Sequence, residues 1–410
     1  MAQITLILKK ILKKGFKFLF TIIIFYPLYV VSFLIPRNKK IMCIGSSHGF
    51  RDNAKYYYLY ENSRDIKKYW ISNSYSDNVL LQKKGIKSHY KWSLKGLYLS
   101  LVSKFHIYDY NIDDINFWTS GRAIKFNLWH GVGIKNIEFK IKIGSSKKHF
   151  NKLNLKNIIF SPYIYIKPDF FLSTSDMMDK HFCECFRIHS NAIIHNIYPR
   201  CQFFLKNKKK LLNHIKRYES SFLQNLILKK SKKFNKLHLY VPTWRDSGKD
   251  FISKINWHQL NDTLAEKNEL FLIKPHPNTI LKTHLELSNI LYIPNKEDIY
   301  PLMPFTDTLI TDYSSVYYDY LLLRDKKIIL FLFDYIEYVK NERDLAFDFN
   351  EFTAGVKVYN YDDFFNSLFF NGKKSLSDYK KEEKIIHSFW EYTENKKSIN
   401  DQLISKINHE

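Results

Sequence analysis

Two histidines in short polar loops are the side chains of this sequence best suited to acid–base chemistry. His130 follows directly on the apolar run Ile124–Trp129, and His276 lies between Pro275 and Pro277. An imidazole titrates near neutral pH and can take a proton from an attacking hydroxyl. We therefore expect His130 to act as a general base and His276, held by rigid prolines, to position a phosphate oxygen. A structural histidine and a rigid turn with an incidental histidine are the alternatives.

A second group of residues could bind an anion. Ser314 and Ser315 precede a helical stretch expected over Val316–Leu323, so one of them could cap that helix while backbone N–H groups face a ligand. Arg245 could make a bidentate phosphate contact, and Lys274 adds positive charge beside the second histidine. A plain helix cap and a surface salt bridge are the competing interpretations of the serines and of Arg245.

Several familiar cofactor and metal signatures are absent from the sequence. It contains no GxGxxG run and no Walker lysine, so ordinary dinucleotide and P-loop sites are not expected. The one close cysteine pair, Cys183 and Cys185, has a spacing that suits neither a zinc site nor a redox CxxC. No two aspartates are separated by a single residue. We expect reduced thiols in a cytosolic protein, no metal ion and no cofactor.

The loops that carry these residues follow short apolar runs, which alternate with helical stretches along the chain. This alternation predicts the α/β fold class, in which ligands gather at the carboxyl ends of parallel strands. The first set of predicted strands is Ile41–Ile44, Phe105–Tyr108, Ile124–Trp129, Phe170–Ser173 and Ala192–His195. The second set is Leu237–Val241, Leu270–Ile273, Leu291–Ile293, Thr308–Ile310 and Ile328–Phe333. Two Rossmann-like domains with a central cleft are the economical architecture.

The chain has 410 residues, which is too long for one ordinary domain. We predict a hydrophobic and basic segment over 1–37 and a Rossmann-like domain over 38–202. A basic helical linker over 203–235 then leads to a second Rossmann-like domain over 236–375. A helical tail over 376–410 completes the predicted organisation.

Residues 18–35 form an uncharged apolar run with lysines before it and basic residues after it. A helix of this length reaches about 27 Å, against roughly 30 Å of hydrocarbon, but Pro27 interrupts it. A secretory signal peptide is not expected, because the run lacks a small-residue cleavage site. We expect a membrane-embedded or interfacial anchor, with packing against the protein itself and true spanning as the alternatives.

The charge balance favours an anionic partner. Lys and Arg number 64 against 40 Asp and Glu, a formal net charge of +24. Nucleic acid, an anionic lipid surface and a phosphate-bearing substrate would all satisfy this charge. The cations do not alternate with aromatic residues in a recognisable nucleic-acid-binding module, so nucleic acid is the least supported. With 45% hydrophobic residues the chain is not a disordered one.

Taken in order over residues 41–355, these loops resemble the CDP-glycerol glycerophosphotransferase family of teichoic-acid and capsule polymerases. The motifs that carry the resemblance are Asp52-Asn53-Ala54-Lys55-Tyr56, Trp129-His130-Gly131 with Lys135, Pro199-Arg200, Thr243-Trp244-Arg245, Lys274-Pro275-His276-Pro277 and Thr311-Asp312-Tyr313-Ser314-Ser315. The resemblance implies a GT-B-like fold, with the first domain on the acceptor side and the second on the nucleotide-donor side.

The resemblance also implies roles for single residues. His130 and His276 are the implied catalytic pair, with His130 as the general base. The residues implied to bind the donor or its phosphates are Thr243, Arg245, Lys274, Thr311, Asp312, Ser314 and Ser315. The residues implied on the acceptor side, or in support of it, are Gly131, Lys135, Asp52, Asn53 and Arg200.

The implied reaction is attack by an acceptor hydroxyl on the distal phosphorus of a CDP-activated polyol, with release of CMP. Glycerol phosphate is the first candidate for the transferred group, in teichoic-acid-like or capsular polymer synthesis. Where the family often has Arg-Gly this chain has Arg343-Asp344, and Tyr198 replaces a usual glycine, which leaves CDP-ribitol or another polyol open.

The implied partners are this donor, a polyanionic or lipid-linked glycan acceptor and a membrane surface, without nucleic acid. The implied location is the cytoplasmic face of the bacterial membrane, and the oligomeric state stays open. Two rival classes remain. One is a GT-B glycosyltransferase that uses a nucleotide sugar. The other is a basic, non-enzymatic membrane or nucleic-acid-binding protein.

Overall fold

The computed structural model describes residues 18–62, 65–150, 154–247, 252–276, 287–370, 372–394 and 397–409. Residues 1–17 and Pro277, which belong to predictions made above, lie outside these ranges. The predicted α/β class is confirmed, because the described strands form two parallel sheets connected by helices. We call the part built on the first sheet the first lobe and the part built on the second sheet the second lobe.

The first sheet has seven strands in the order β3-β2-β1-β4-β5-β6-β7. Its strands are β1 Asn38–Gly45, β2 Lys67–Ser72, β3 Ser88–Tyr90, β4 Ser103–Tyr108, β5 Ile124–Asn127, β6 Phe170–Ser173 and β7 Ile193–His195. Every neighbouring pair is parallel. The chain order reverses between β1 and β4, and a crevice opens at such a switch point.

The second sheet has six strands in the order β10-β9-β8-β11-β12-β13. Its strands are β8 Lys236–Tyr240, β9 Glu269–Ile273, β10 Ile290–Tyr292, β11 Thr308–Thr311, β12 Lys327–Phe331 and β13 Val356–Val358. All its pairs are parallel as well, and the switch point lies between β8 and β11. Both sheets therefore follow the doubly wound pattern.

Helices cover the sheets and join the lobes. Before β8 the α-helices are Tyr26–Ser32, Asp52–Tyr60, Tyr75–Lys83, Leu94–Val102, Lys147–Phe150, Leu155–Phe160, Asp176–Phe186, Pro199–Phe204, Lys208–Tyr218 and Ser221–Leu228. After β8 they are Trp257–Glu266, Val316–Leu321, Tyr335–Glu337, Tyr361–Phe369, Leu376–Phe389 and Ile399–His409. Serine side chains cap several of them, as Ser175 does by accepting a hydrogen bond from the backbone N–H of Met178.

The last two helices return to the first lobe, although they follow the second sheet in the chain. The Thr174 hydroxyl donates to the carbonyl of Phe389 at 2.6 Å, and Nδ2 of Asn196 donates to the carbonyl of Lys397 at 2.8 Å. Phe389 and Leu403 are fully buried. The tail is therefore helical, as expected, but one face of it is apolar and joins the core. The predicted domain boundaries themselves stay a prediction.

The apolar N-terminal run forms a π-helical turn, Thr21–Phe25, that continues into helix Tyr26–Ser32. One face packs on the first lobe, where the Tyr29 ring stacks 4.4 Å from that of Phe117 and the Phe25 ring lies 5.2 Å from that of Trp118. Among the described residues no helix has the length and apolar character needed to cross a bilayer. One face of this segment therefore packs against the protein itself, which was one of the alternatives considered for it above.

Candidate functional site

A cleft of about 510 Å³ lies between the lobes, at the carboxyl ends of strands from both sheets. It is reached by loops that follow β1, β5, β9 and β11. Of the residues predicted at the site, those that line the cleft are His130, Gly131, Lys135, His276 and Ser315. The predicted residues that do not line it are Asp52, Asn53, Arg200, Thr243, Arg245, Lys274, Thr311, Asp312 and Ser314.

The His130 ring is held in one tautomer. Its Nδ1 lies 3.4 Å from the carbonyl oxygen of Asp109, the residue that follows β4. A carbonyl oxygen only accepts hydrogen bonds, so Nδ1 carries the proton and Nε2 keeps its lone pair. The preceding Trp129 has φ of +54°, an uncommon conformation that marks the turn out of β5. His130 therefore has the form that a general base needs.

The electrostatics of the cleft keep this ring neutral. Burial lowers the pKa of His130 to about 4, against the opposing effect of the Asp52 carboxylate. The nearby charges of His48 and Arg200 lower this pKa further. At neutral pH the imidazole is therefore unprotonated on Nε2 and able to accept a proton.

Asp52, Asn53 and Arg200 lie beneath the loop that carries His130. Nδ2 of Asn53 donates to the carbonyl of Trp129 at 2.7 Å, and Nη1 of Arg200 donates to the carbonyl of His130 at 2.9 Å. The carboxylate of Asp52 forms an ion pair with the same nitrogen of Arg200. These side chains hold the backbone of the loop and leave its ring to the cleft.

Arg200 also ties the two lobes together. Its side chain is 1% exposed, and its Nη2 donates to Asp319 of the second lobe at 2.6 Å. The Tyr300 hydroxyl donates to the same carboxylate oxygen at 2.6 Å. Burial raises the pKa of Asp319, while Arg200 favours its charged form. A buried arginine between carboxylates of both lobes fixes how the lobes meet.

His276 brings the second lobe to the cleft. Its ring lies 6.2 Å from the Trp244 ring with 27° between the planes. Desolvation lowers the pKa of His276 to about 4, and the charges of Lys135 and His48 lower it further. The neighbouring Lys274 points elsewhere, because its Nζ donates to the carbonyl oxygens of the loop at residues 294–295 at 2.6 and 2.9 Å.

The serine pair differs from the prediction. Helix Val316–Leu321 has six residues, and Ser315 at its N-cap makes no side-chain capping hydrogen bond. The expected serine cap is therefore wrong for Ser315, and so short a helix has little dipole to attract an anion. Ser315 instead packs on the first lobe, since a Cβ added to Gly131 would lie 2.8 Å from its Oγ. Gly131 allows the two lobes to meet at this point.

Arg245 does not line the cleft, and its side chain is 3% exposed. Its Nη1 donates to Asp312 at 2.6 Å, while Nε and Nη2 donate to Asp334 at 2.8 and 3.0 Å. Burial disfavours the charge, but the two carboxylates outweigh it and raise the pKa of Arg245. The bidentate partner of this guanidinium in the structure is thus a carboxylate of the protein, and the predicted contact to a phosphate stays a prediction.

Thr243, Thr311 and Asp312 form the rest of this support. The backbone N–H of Thr243 donates to Asp312 at 3.0 Å, and the hydroxyl of Thr311 donates to the carbonyl of Val241 at 2.7 Å. These bonds connect the loop after β8 with the loop after β11. The motif residues of the second lobe therefore shape the floor on which His276 and Ser315 are placed.

Lys135 supplies positive charge to the cleft from the first lobe. Burial lowers its pKa to about 8, and Asp312 opposes that shift. The next residue, Asn136, is fixed to the second lobe, because its N–H donates to the carbonyl of Asp344 at 3.0 Å and its Nδ2 to the Asp344 carboxylate at 2.6 Å. Asp344, which stands where the family often has glycine, thus connects the second lobe to Asn136 of the first lobe.

No role was predicted from the sequence for several other residues that line the cleft. They are His48, Tyr110, Glu138, His181 and Arg343. His48 lies in the loop Gly45-Ser46-Ser47-His48-Gly49, which follows the first predicted strand and stands out in the sequence for that position, although no role was predicted for His48. His181 is a buried residue inside helix Asp176–Phe186, and nothing in its neighbouring residues marks it.

One group of described side chains could in principle hold a metal ion. Asp176, Asp179 and His195 place oxygen and nitrogen atoms within 4.8 Å of one another. None of them lines the cleft. Nε2 of His195 already lies 2.6 Å from Asp179, and the Tyr392 hydroxyl binds Asp176. We assign no metal to this group, and the absence of a metal from the reaction stays a prediction.

Two doubly wound lobes with a histidine-lined cleft between them place the chain in the class of two-lobed α/β proteins with parallel sheets. Residues 24–402 match the model of the CDP-glycerol:poly(glycerophosphate) glycerophosphotransferase family. Since this match spans most of the chain, the chain belongs to that family. The resemblance inferred from the motifs is thereby confirmed.

Curated relatives agree with this assignment. The chain is 30% identical over 245 residues to a teichoic acid ribitol-phosphate primase of Bacillus spizizenii, covering 57% of each protein. It is 26% identical over 291 residues to a teichoic acid poly(ribitol-phosphate) polymerase of the same organism, covering 68% of this chain and 42% of that one. The chain thus spans about half the length of these curated relatives.

Solved structures show the same fold. A structure of the wall teichoic acid polymerase TagF, soaked with CDPG, superposes with a TM-score of 0.73 at 18% identity. The superposition covers 97% of this chain and 98% of that one. At this identity the likeness concerns the fold alone, a GT-B-like pair of lobes.

Proposed function

We propose that this protein transfers a polyol phosphate from a CDP-activated donor to an acceptor hydroxyl and releases CMP. The observation that carries the proposal is a neutral, tautomer-defined His130 that shares one cleft with His276 and Ser315 of the other lobe. Family membership supports the reaction class. The relatives act on glycerol phosphate or ribitol phosphate by their names, so both are candidates for the transferred group.

The cleft supplies what such a transfer requires. Nε2 of His130 takes the proton of the acceptor hydroxyl, whose oxygen attacks the distal phosphorus while the bond to CMP breaks. Lys135 and Arg343 supply positive charge to the cleft in which negative charge develops on the phosphoryl oxygens, and the uncharged His276 ring lies in the same cleft. Ser315 adds a hydroxyl from the second lobe. The protein contributes position and charge, and no covalent intermediate is needed.

The experiment that tests this proposal is a donor panel. Purified protein is incubated with CDP-glycerol, CDP-ribitol and UDP-glucose in the presence of a glycerol phosphate oligomer, and the released nucleotide is identified. We expect CMP from at least one CDP-polyol and a phosphodiester in the product. Release of UDP with formation of a glycosidic bond would instead establish a glycosyltransferase.

The contact between Gly131 and Ser315 allows a matched pair of variants. In Gly131→Ala the added methyl group would lie 2.8 Å from Oγ and 3.0 Å from Cβ of Ser315, so the His130 loop must shift. We expect kcat/KM for CMP release to fall by about 10- to 100-fold, because displacements of this size misplace reacting groups. Gly133→Ala is the control, since its methyl would lie 3.7 Å from the same serine. Equal activity of the two variants would contradict this reasoning.

We also propose that the N-terminal segment contacts a membrane surface through its exposed face, without spanning the bilayer. The outer face of the N-terminal segment exposes Ile23, Val30 and Leu34 at 66, 62 and 75%. Lys39 and Lys40 are also exposed beside it. An apolar helix face flanked by lysines fits the surface of an anionic bilayer, which would place the enzyme on the cytoplasmic face of the membrane.

Vesicle binding tests this interfacial contact. A variant with Ile23→Ser, Val30→Ser and Leu34→Ser is expected to bind phosphatidylglycerol vesicles at least about tenfold more weakly, because three apolar side chains no longer enter the interface. The control carries Ile336→Ser and Leu376→Ser, which are exposed at 82 and 72% on other surfaces. Equal sedimentation of both variants with vesicles would disprove the contact.

A further inference from the structure

A second cavity, of about 270 Å³, adjoins the catalytic cleft within the first lobe. The linings of the two spaces share Tyr110, Glu138, Ser146 and Phe150, so the spaces lie side by side. None of the residues that line the cleft from the second lobe reaches the second cavity. We call this space the aromatic cavity. A molecule in it could extend towards His130 without touching the donor side.

Six aromatic rings line this cavity. The rings are those of Tyr108, Tyr110, Phe139, Phe150, Tyr163 and Phe186. Flat rings of this kind pack against the C–H faces of sugars and polyols, while the few polar groups between them orient hydroxyls. The lining differs in this respect from the main cleft, which has more cationic side chains.

The polar group at the junction of the two spaces is Glu138. Its half-buried carboxyl group makes no hydrogen bond or ion pair with the described residues. Burial raises the pKa of Glu138 to about 8, although Arg187 favours the charged form. A carboxyl group in this state both donates and accepts hydrogen bonds, and it suits a hydroxyl better than a phosphate.

Arg187 supplies a cation to the aromatic cavity. Its guanidinium lies 3.5 Å from the centre of the Phe139 ring, and Nη2 donates to the carbonyl of Tyr165 at 3.3 Å. The side chain is exposed, and its remaining N–H groups make no hydrogen bond with described residues. A stacked arginine whose remaining N–H groups can still donate hydrogen bonds is well suited to bind a phosphate group.

The outer wall of the cavity also faces the N-terminal helix. Tyr163 and Ile166 line the cavity and pack against the cluster around Phe117 and Trp118, on which helix Tyr26–Ser32 lies. A chain that leaves the aromatic cavity on this side therefore starts beside helix Tyr26–Ser32, whose opposite face is the one proposed above for the membrane. This arrangement suits a long acceptor better than a small second donor.

We propose that the aromatic cavity is the acceptor subsite. It holds the polyol or sugar unit next to the attacking hydroxyl, with Glu138 bonded to a hydroxyl of that unit and Arg187 paired with a phosphate further along the chain. This inference rests on the proposed transfer function, and it adds the place in the first lobe, and the two side chains, at which a phosphate-containing acceptor chain would bind.

Synthetic tri(glycerol phosphate) serves as the probe, and its binding by the full chain is measured by calorimetry alongside its KM as an acceptor. We expect Glu138→Ala and Arg187→Gln each to weaken binding and raise this KM by about tenfold or more, with the donor KM within about twofold of wild type. Glu138→Gln is expected to retain most of the affinity, since a neutral amide also donates and accepts. With free glycerol as the acceptor, Arg187→Gln is expected to behave as wild type.

The control is Arg324→Gln, which removes an exposed arginine of the second lobe. Unchanged affinity for tri(glycerol phosphate) in both Glu138→Ala and Arg187→Gln would overturn the acceptor subsite, and so would a raised donor KM with an unchanged acceptor KM. Failure of the transfer function is a different result: no CDP-polyol yields CMP with wild-type protein. The binding measurement still decides the subsite in that case, because it needs no turnover.

Discussion

Replacing His130 with alanine is expected to lower kcat by about 10²- to 10⁴-fold, the usual contribution of a general base. Donor KM should change little, because the second-lobe residues that line the cleft, His276, Ser315 and Arg343, remain in place. CMP release at saturating donor and acceptor is the measurement. His258→Ala is the matched control, since that histidine is exposed on helix Trp257–Glu266. Wild-type turnover in His130→Ala would refute the assigned base.

The pH profile offers a second check on the same residue. Burial holds the pKa of His130 at about 4, below the ordinary 6.5, so the free base persists well below neutral pH. We expect kcat/KM to stay level from pH 7 down to about pH 5.5 and to fall only as the pH approaches 4. The residual activity of His130→Ala should lack this acid limb. An acid limb centred near 6.5 would mean that the ring is solvated or that another group is the base.

Replacing Arg245 with alanine is expected to lower the free energy of unfolding by about 3–5 kcal/mol. The side chain is 3% exposed and pairs with Asp312 at 2.6 Å and Asp334 at 2.8 Å. Its removal leaves two buried carboxylates without their cation, and the loops after β8 and β11 lose a common anchor. Chemical denaturation followed by tryptophan fluorescence measures the loss.

Two comparisons separate this structural role from a phosphate-binding one. Arg324→Ala removes an exposed arginine whose pair with Glu383 spans 3.8 Å, and it should leave stability nearly unchanged. Arg245→Lys should fall between wild type and Arg245→Ala, because lysine keeps the charge but cannot reproduce the bidentate geometry. Normal stability of Arg245→Ala together with weakened donor binding would instead support a direct contact to the donor.

The predicted strands show where sequence patterns suffice. All ten correspond to observed strands with ends shifted by a few residues, and Phe170–Ser173 agrees at both ends. Buried parallel strands are nearly continuous apolar runs, which makes them easy to recognise. The three strands that escaped prediction are β2, β3 and β13, whose sequences KKYWIS, SHY and VKV are short or rich in polar residues. Pairing with neighbouring strands stabilises them, and a local pattern cannot show this.

The site was predictable in its motifs but not in its geometry. The ordered loops identified the family and placed His130 and His276 at strand ends. The end of a strand can be recognised from the sequence, because an apolar run gives way to polar residues, glycine or proline there. The ion pairs of Arg245 could not be predicted, since a lone arginine in a loop gives no sign of two buried aspartates that lie 67 and 89 residues further along the chain.

By itself, the sequence determined the α/β class, the family and the two histidines, all of which depend on local runs of a few residues. Tertiary structure alone decided which side chains enter the cleft and which lie behind it. It also placed Glu138 and Arg187 at the aromatic cavity next to the cleft, and it placed the Asp344 carboxylate within hydrogen-bond distance of Asn136 in the other lobe. The physical reason is that burial and pairing depend on neighbours distant in the chain, and those neighbours are set only when the two lobes pack together.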